Sequence, residues 1–260
     1  MAELFDTHAH LDNDDFSGIL PEVLERAARA DVRTILTIGT TLESSRRAVD
    51  LASRHDPLYA AVGIHPNYCA ESAAGDWQAV VELVAAPRVV AIGETGLDRY
   101  WDIVKFDVQQ DYFDRHLQLA QQRDLPIVIH MRNCESDVLE MLRKAVRRGP
   151  VRGIMHSFTA SEATAVECLE LGLHISFAGM VTYKKSDELR RITRLVPDDR
   201  ILIETDSPYL SPHPHRGRRP NEPALVVHTA ACVAEARGTT LEQLARLTTR
   251  NARRLLLREA

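Results

Sequence analysis

Hydrophobic positions along the chain fall into two alternating patterns. Short continuous apolar runs, rich in β-branched residues, occupy 4–7, 34–38, 59–64, 89–92, 127–129, 153–155, 173–177 and 201–203. Such runs predict strands buried on both faces. Between them, apolar residues recur at helical spacing over 19–30, 42–53, 77–84, 108–123, 137–146, 163–171 and 188–195. Two further helical stretches, 224–236 and 241–257, flank Gly238, the second opening on a Thr-Thr-x-Glu start signal. Strict alternation of strand and helix implies parallel pairing. Eight such units predict an α/β fold, a single-domain (β/α)8 barrel spanning residues 1–260. An open doubly wound sheet would alternate in the same way, but it gathers its ligands behind one glycine-rich phosphate loop, and no GxGxxG is present.

The polar residues at the ends of these runs carry the chemistry. LFDTHAH ends in His8 and His10, YAAVGIH in His65, VVAIGE in Glu94, PIVIH in His130, RGIMH in His156 and ILIETD in Asp206. In a barrel the carboxyl ends of all strands converge on one mouth, so side chains distant in sequence form one site. His8 and His10 are two apart on an extended backbone and face the same way. Imidazole and carboxylate without thiolate suit zinc, manganese, cobalt or magnesium. His8, His10, Glu94, His130, His156 and Asp206 are more ligands than one tetrahedral ion uses, whereas two divalent ions sharing a bridging carboxylate would use them all. Metal-dependent hydrolysis is the expected reaction.

Composition narrows the partners. A net charge of -5 argues against a general nucleic-acid coating protein, whose whole surface would be basic, so any polyanion binding has to be local. The four cysteines form no CxxC pair and read as reduced thiols. The start MAELFDTHAHLD has no apolar signal core, and no run approaches a membrane span, so a cytoplasmic protein without membrane contact is expected.

The motifs DTHAHLD, GIHPN, GETGLD, PIVIHMR, HSFT, ISFAGMVTYKK, LIETDSPYL and NEP, in this order along nearly the whole chain, resemble the TatD family of metal-dependent deoxyribonucleases in the amidohydrolase superfamily. The resemblance implies a TIM barrel, a divalent metal centre and hydrolysis of DNA phosphodiester bonds, commonly from the 3′ end. Carried over by position, it gives His8, His10 and Asp206 to one metal, His130 and His156 to the other, and Glu94 as the carboxylate between them. Asp206 would also orient or deprotonate the attacking water, which with Glu94 makes the catalytic pair. The fourth strand ends in Glu94, not in the lysine that bridges metals in other branches of the superfamily. Asn67 where a second histidine is common, Ala160 in place of glycine, Pro220 before NEP and a final NARRLLL without phenylalanine depart from the pattern. None falls on a ligand position; they bear on substrate preference and loop conformation.

A phosphate substrate calls for cations around the mouth. His65 is not needed as a ligand and is a candidate donor to a substrate phosphate. Arg216, Arg218 and Arg219 crowd into HPHRGRR after the eighth run, and Arg132 follows His130. Tyr100 and Trp101 offer stacking faces, which would favour single strands or frayed ends. Asn221 and Glu222 are expected to buttress the loop. Two rival functions stand beside the nuclease: an ester or amide hydrolase acting on a small molecule or an aminoacyl-nucleic acid, and a non-catalytic barrel. The arginines argue against a neutral substrate, and the intact ligand set argues against a scaffold. A monomer with no obligate protein partner is expected.

Overall fold

The computed structural model describes residues 2–259. Its eight strands are β1 (Leu4–Ala9), β2 (Val32–Ile38), β3 (Leu58–Val62), β4 (Val89–Asp98), β5 (Ile127–Arg132), β6 (Gly153–Met155), β7 (Leu173–Phe177) and β8 (Ile201–Ile203). They pair in chain order in one parallel sheet curled into a barrel. The helices are α1 (Leu20–Arg29), α2 (Leu42–Arg54), α3 (Asp76–Leu83), α4 (Phe106–Arg123), α5 (Glu135–Arg148), α6 (Glu162–Glu170), α7 (Asp187–Leu195), α8 (Val226–Arg237) and α9 (Leu241–Ala252). The expected barrel is therefore present.

Two apolar layers follow from the strand period of two. Ile35, Ala60, Ile92, Ile129, Ile175 and Ile203 point outward into the layer shared with the helices. Phe5, Leu36, Ala61, Ala91, Val128, Ile154 and Leu202 form a second cluster, in which Ala252, Leu255 and Leu256 from the end of the chain take part. That inward use of the last residues explains one departure from the sequence pattern. The helix expected over 241–257 stops at Ala252 and continues as a wider π turn, Arg253–Leu257, that delivers the two leucines. α9 begins at Leu241 as expected, but its capping box pairs Thr240 with Gln243 rather than Thr239 with Glu242.

Three strands outrun their apolar stretches. β1 continues through His8, β4 through Glu94 to Asp98, and β5 through His130 to Arg132. These ligand candidates thus stand within strands, not beyond them, because backbone pairing continues while the inward polar groups satisfy one another. The barrel closes differently from the rest of the sheet. Among the described residues a single bridge, Ala9 to Ser207, joins β1 to the segment that follows β8, flanked by hydrogen bonds from Asp206 N to His8 O (2.9 Å) and His10 N to Ser207 O (2.7 Å). The fully buried Asp6 carboxylate reinforces this seam by accepting from Thr205 N at 2.9 Å and Thr205 Oγ1 at 2.6 Å.

Candidate metal centre

Glu94 lies at the centre of the mouth because of what surrounds it on β4. Gly96 pairs with His130 across the β4–β5 ladder. Its φ is 142°, and a Cβ there would come within 2.0 Å of His130 O, so only glycine lets the two strands approach this closely. The result is a buried carboxylate with one oxygen for each of two ligand groups. Glu94 Oε2 faces His8 Nε2 at 3.4 Å and His10 Nε2 at 3.6 Å. Glu94 Oε1 faces His130 Nδ1 at 3.0 Å and His156 Nε2 at 2.9 Å. Asp206 Oδ1 closes the first group at 3.6 Å from His8 Nε2 and 3.5 Å from His10 Nε2. Asp206 has a left-handed backbone, φ 55°, which its N–H to His8 O helps to fix.

The donor set fits divalent ions on geometric and chemical grounds. The two imidazole nitrogens of the first group lie 3.2 Å apart, and their distances to the two carboxylates are 3.4–3.6 Å. A tetrahedral ion with bonds of about 2.0–2.1 Å would space its donors by about 3.3–3.4 Å. In the second group both ring nitrogens of each histidine meet carboxylate oxygen: His130 lies between Glu94 and Asp98 (Nε2 to Oδ2, 3.0 Å), and His156 between Glu94 and Glu204 (Nδ1 to Oε1, 3.2 Å). If the outer nitrogen holds the proton, the inner lone pair confronts a carboxylate oxygen, and only a cation between them relieves the repulsion. Carboxylates behind metal-binding histidines fix the tautomer in this way.

Without an ion, protons meet part of that demand. Burial opposes protonation of His156, but the charge of Glu94 and the contacts with Glu204 and Glu94 carry its pKa well above the ordinary value. His10 is raised to about 9 against the same burial by its hydrogen bond to Asp206 and the nearby carboxylate charges. His130 is raised by Asp98 and Glu94, again against burial. Burial would raise Glu94 as well, yet the charge of the surrounding histidines holds it well below its usual range.

His65 belongs to a different category. Its Nε2 is 3.5 Å from Glu94 Oε1, close enough to complete a third potential ligand group with Glu94 and His130. However, its Nδ1 accepts the backbone N–H of Asn67 at 3.1 Å, so Nε2 carries the proton and has no lone pair for a metal. Burial lowers its pKa to about 3 and keeps it neutral. His65 is accordingly a hydrogen-bond donor at the mouth.

An open cavity of about 910 Å³ lies over these groups. Of the other residues singled out in the sequence, Arg132 and Trp101 line it. Tyr100 is exposed and does not line it, but its ring centre lies 3.6 Å from the Arg132 guanidinium. Arg216, Arg218 and Arg219 are exposed and do not form the cavity wall; Arg216 lies over Tyr183, and Arg219 pairs with Asp15 at 2.9 Å. Asn221 is buried and donates to Thr205 O and Tyr209 O, holding the loop, while Glu222 pairs with Arg26. The sequence pattern did not reveal Arg47, which lines the cavity from α2 and pairs with Asp12 at 3.0 Å. Nor did it single out Asp98 and Glu204. Their position four residues after Glu94 and two before Asp206, on alternate strand positions, was the available signal.

The TatD related DNase family model matches residues 5–257. The chain is 41% identical over 252 residues to an uncharacterized metal-dependent hydrolase, YabD, of Bacillus subtilis, covering 97% of this chain and 98% of that one. It is 35% identical over 256 residues to a protein of Citrobacter rodentium named 3′-5′ ssDNA/RNA exonuclease TatD, with 97% of both chains covered. The solved structure of YJJV, a TatD homologue from Escherichia coli, superimposes with a TM-score of 0.92 at 30% identity over 98% of each chain. Barrel and relatives agree: the chain belongs to the TatD family of metal-dependent hydrolases.

Proposed function

We propose that this protein is a deoxyribonuclease that removes nucleotides from the 3′ end of single-stranded or frayed DNA, using two divalent ions bridged by Glu94. The observation that carries this reading is the division of labour on Glu94, whose two oxygens each face a separate group of histidines beneath an open, cation-flanked cavity. The name borne by the Citrobacter rodentium relative points to the same substrate class. His8, His10 and Asp206 would hold one ion and His130 and His156 the other; magnesium, manganese, zinc and cobalt all suit the donors. When bound, such ions supply an activated water and offset charge on the phosphate.

The chain's own residues have distinct tasks. Asp206 lines the cavity and is held ionised, its pKa lowered against burial by His10 and His8, so it suits orienting the attacking water and accepting its proton at a carboxylate oxygen. His65 Nε2–H would donate to a phosphate oxygen. Arg47 and Arg132 flank the opening for the adjoining phosphates, Trp101 presents a half-exposed indole to a base, and Arg216, Arg218 and Arg219 extend the positive rim. We place this activity in a cytoplasmic monomer; no helix among the described residues is long and apolar enough to cross a membrane.

The test uses chelator-stripped protein, single-stranded DNA labelled at either end, and each candidate ion in turn. An ion-dependent ladder from the 5′-labelled strand, absent with Glu94→Ala, is the expected result. Asp206→Asn should weaken the ion held with His8 and His10 and, at saturating ion, still slow cleavage by about 10²–10⁴-fold, as expected for loss of a general base. Intact DNA in the presence of bound ions would reject the nuclease and turn attention to ester and amide substrates.

A further inference from the structure

The Asp98 carboxylate reaches in two directions. Oδ1 accepts the backbone N–H groups of Tyr100 at 2.8 Å and Trp101 at 3.1 Å. Oδ2 meets His130 Nε2 at 3.0 Å and accepts from Asn67 Nδ2 at 3.2 Å. The residue is 1% exposed, so these four contacts replace water entirely. On one side stands a ligand candidate at the floor of the cavity; on the other stands the turn that puts Trp101 on its wall, where Arg132 stacks on Tyr100.

The chemistry of the imidazole makes the link directional. For His130 to offer Nδ1 to an ion beside Glu94, its proton has to reside on Nε2. An ionised carboxylate only accepts, so Asp98 enforces that tautomer. Were His130 to hold an ion, its ring would become a stronger donor, and the Nε2–H bond to Oδ2 would tighten on a carboxylate whose other oxygen holds the turn.

We propose that Asp98 is a positioning residue that couples the ion held by His130 and Glu94 to the Tyr100–Trp101 turn, so that filling this half of the centre sets the surface against which an unpaired base stacks. The inference rests on the two-ion centre proposed above. It makes the base-binding rim an ion-dependent element rather than a fixed one.

The decisive experiment contains no nucleic acid, so failure of the nuclease reading by itself would not alter its outcome. Zinc is titrated into chelator-stripped protein in competition with a chromogenic chelator, while tryptophan emission and acrylamide quenching are followed. The chain has two tryptophans, and Trp101→Phe separates the contribution of Trp101 from that of Trp77. The wild type should take two ions, and one of them should shield Trp101. In Asp98→Asn the two N–H groups of the turn keep the amide oxygen, so the NH₂ group faces His130 and forces the proton onto Nδ1. This variant should bind one ion about 10- to 100-fold more weakly, the cost typical of losing a partner behind a metal ligand. It should hold the other ion as before and lose the Trp101 response. Wild-type affinity for both ions in Asp98→Asn would overturn the inference. So would a wild-type Trp101 indifferent to both ions, a result available even if the variant does not fold. A wild type that takes a single ion defeats the two-ion centre and the inference with it.

Discussion

The two candidate ligand groups around Glu94 are held in place by different means. His8, His10 and Asp206 are fixed largely by backbone: Asp206 N–H bonds His8 O, His10 N–H bonds Ser207 O, and the outer nitrogen of His10 meets Ile38 O at 3.2 Å. His8 Nδ1 has no hydrogen-bond partner among the described residues. His130 and His156 are instead backed by the carboxylates Asp98 and Glu204. A carbonyl orients a ring; a carboxylate also raises its basicity and strengthens it as a ligand. The first group is thus organised by the fold alone, while the second depends on particular acidic side chains that mutation can remove.

Glu94→Gln attacks what the groups share and should have the largest effect. Turnover is expected to fall at least about 10²–10³-fold, the scale for losing a principal electrostatic group, with both ions weakened. Metal analysis after gel filtration, alongside single-turnover kinetics, reads both; loss of one ion only would mean that Glu94 serves one group rather than two.

Glu204→Gln separates the halves. Its oxygen still accepts Ser157 N–H, now at 2.8 Å, but His156 loses its charged partner. One ion should weaken by about 10–100-fold in calorimetric titration while the other is unmoved. Equal weakening of both would erase the distinction drawn here.

Proton linkage gives a smaller effect with a definite sign. His10 is raised to about 9 from 6.5, so between these values the folded, ion-free chain holds more protons than the unfolded one. That contribution is complete below pH 6.5 and is lost as pH rises towards 9. Asp6, raised by burial from 3.8 to about 8 despite its bonds from Thr205 and His8, acts in the same direction at lower pH. Thermal unfolding of chelator-treated protein should therefore show Tm falling from pH 6.5 to 9, while added zinc stabilises progressively more across that interval as protons leave the ligands. A Tm that rises over this range without metal would contradict the assignment.

The smallest effects belong to the rim. Arg47→Ala or Arg132→Ala should each weaken single-stranded DNA binding by about 10-fold and lower the salt slope by about 1, as for one phosphate contact. Because Arg216, Arg218 and Arg219 stand off the cavity wall, their joint replacement by alanine should cost less than either. Fluorescence anisotropy at several salt concentrations would rank them, and the reverse order would transfer the phosphate track to the loop after β8.

How much of this was legible in the sequence follows from what kind of contact each feature needs. The apolar runs announced the strands, since burial on both faces leaves that imprint, and the six ligand candidates stood out as polar residues where those runs end. Asp98 and Glu204 have the same period but gain their roles only once β5 and β6 bring histidines to them, which no local pattern encodes. Arg47 was hidden by its place in an ordinary amphipathic helix. The tautomer of His65 depends on one backbone N–H two residues away, a turn geometry visible only in three dimensions. The arginines of HPHRGRR illustrate the opposite case: adjacency to the Asp206 motif in sequence placed them near the mouth, but not on the wall of the cavity.

The seam between β1 and β8 gives the first ligand group a further significance. Asp6 and Thr205 meet there across 199 residues of sequence, and His8, His10 and Asp206 flank the same junction. An ion captured by those three side chains would be a removable cross-link between β1 and the segment after β8, closing the stretch between residues 8 and 206 into one loop. Clips that close long loops restrict the unfolded chain most, so loading that position would make the enzyme's durability, and not only its chemistry, a function of the metal supply around it.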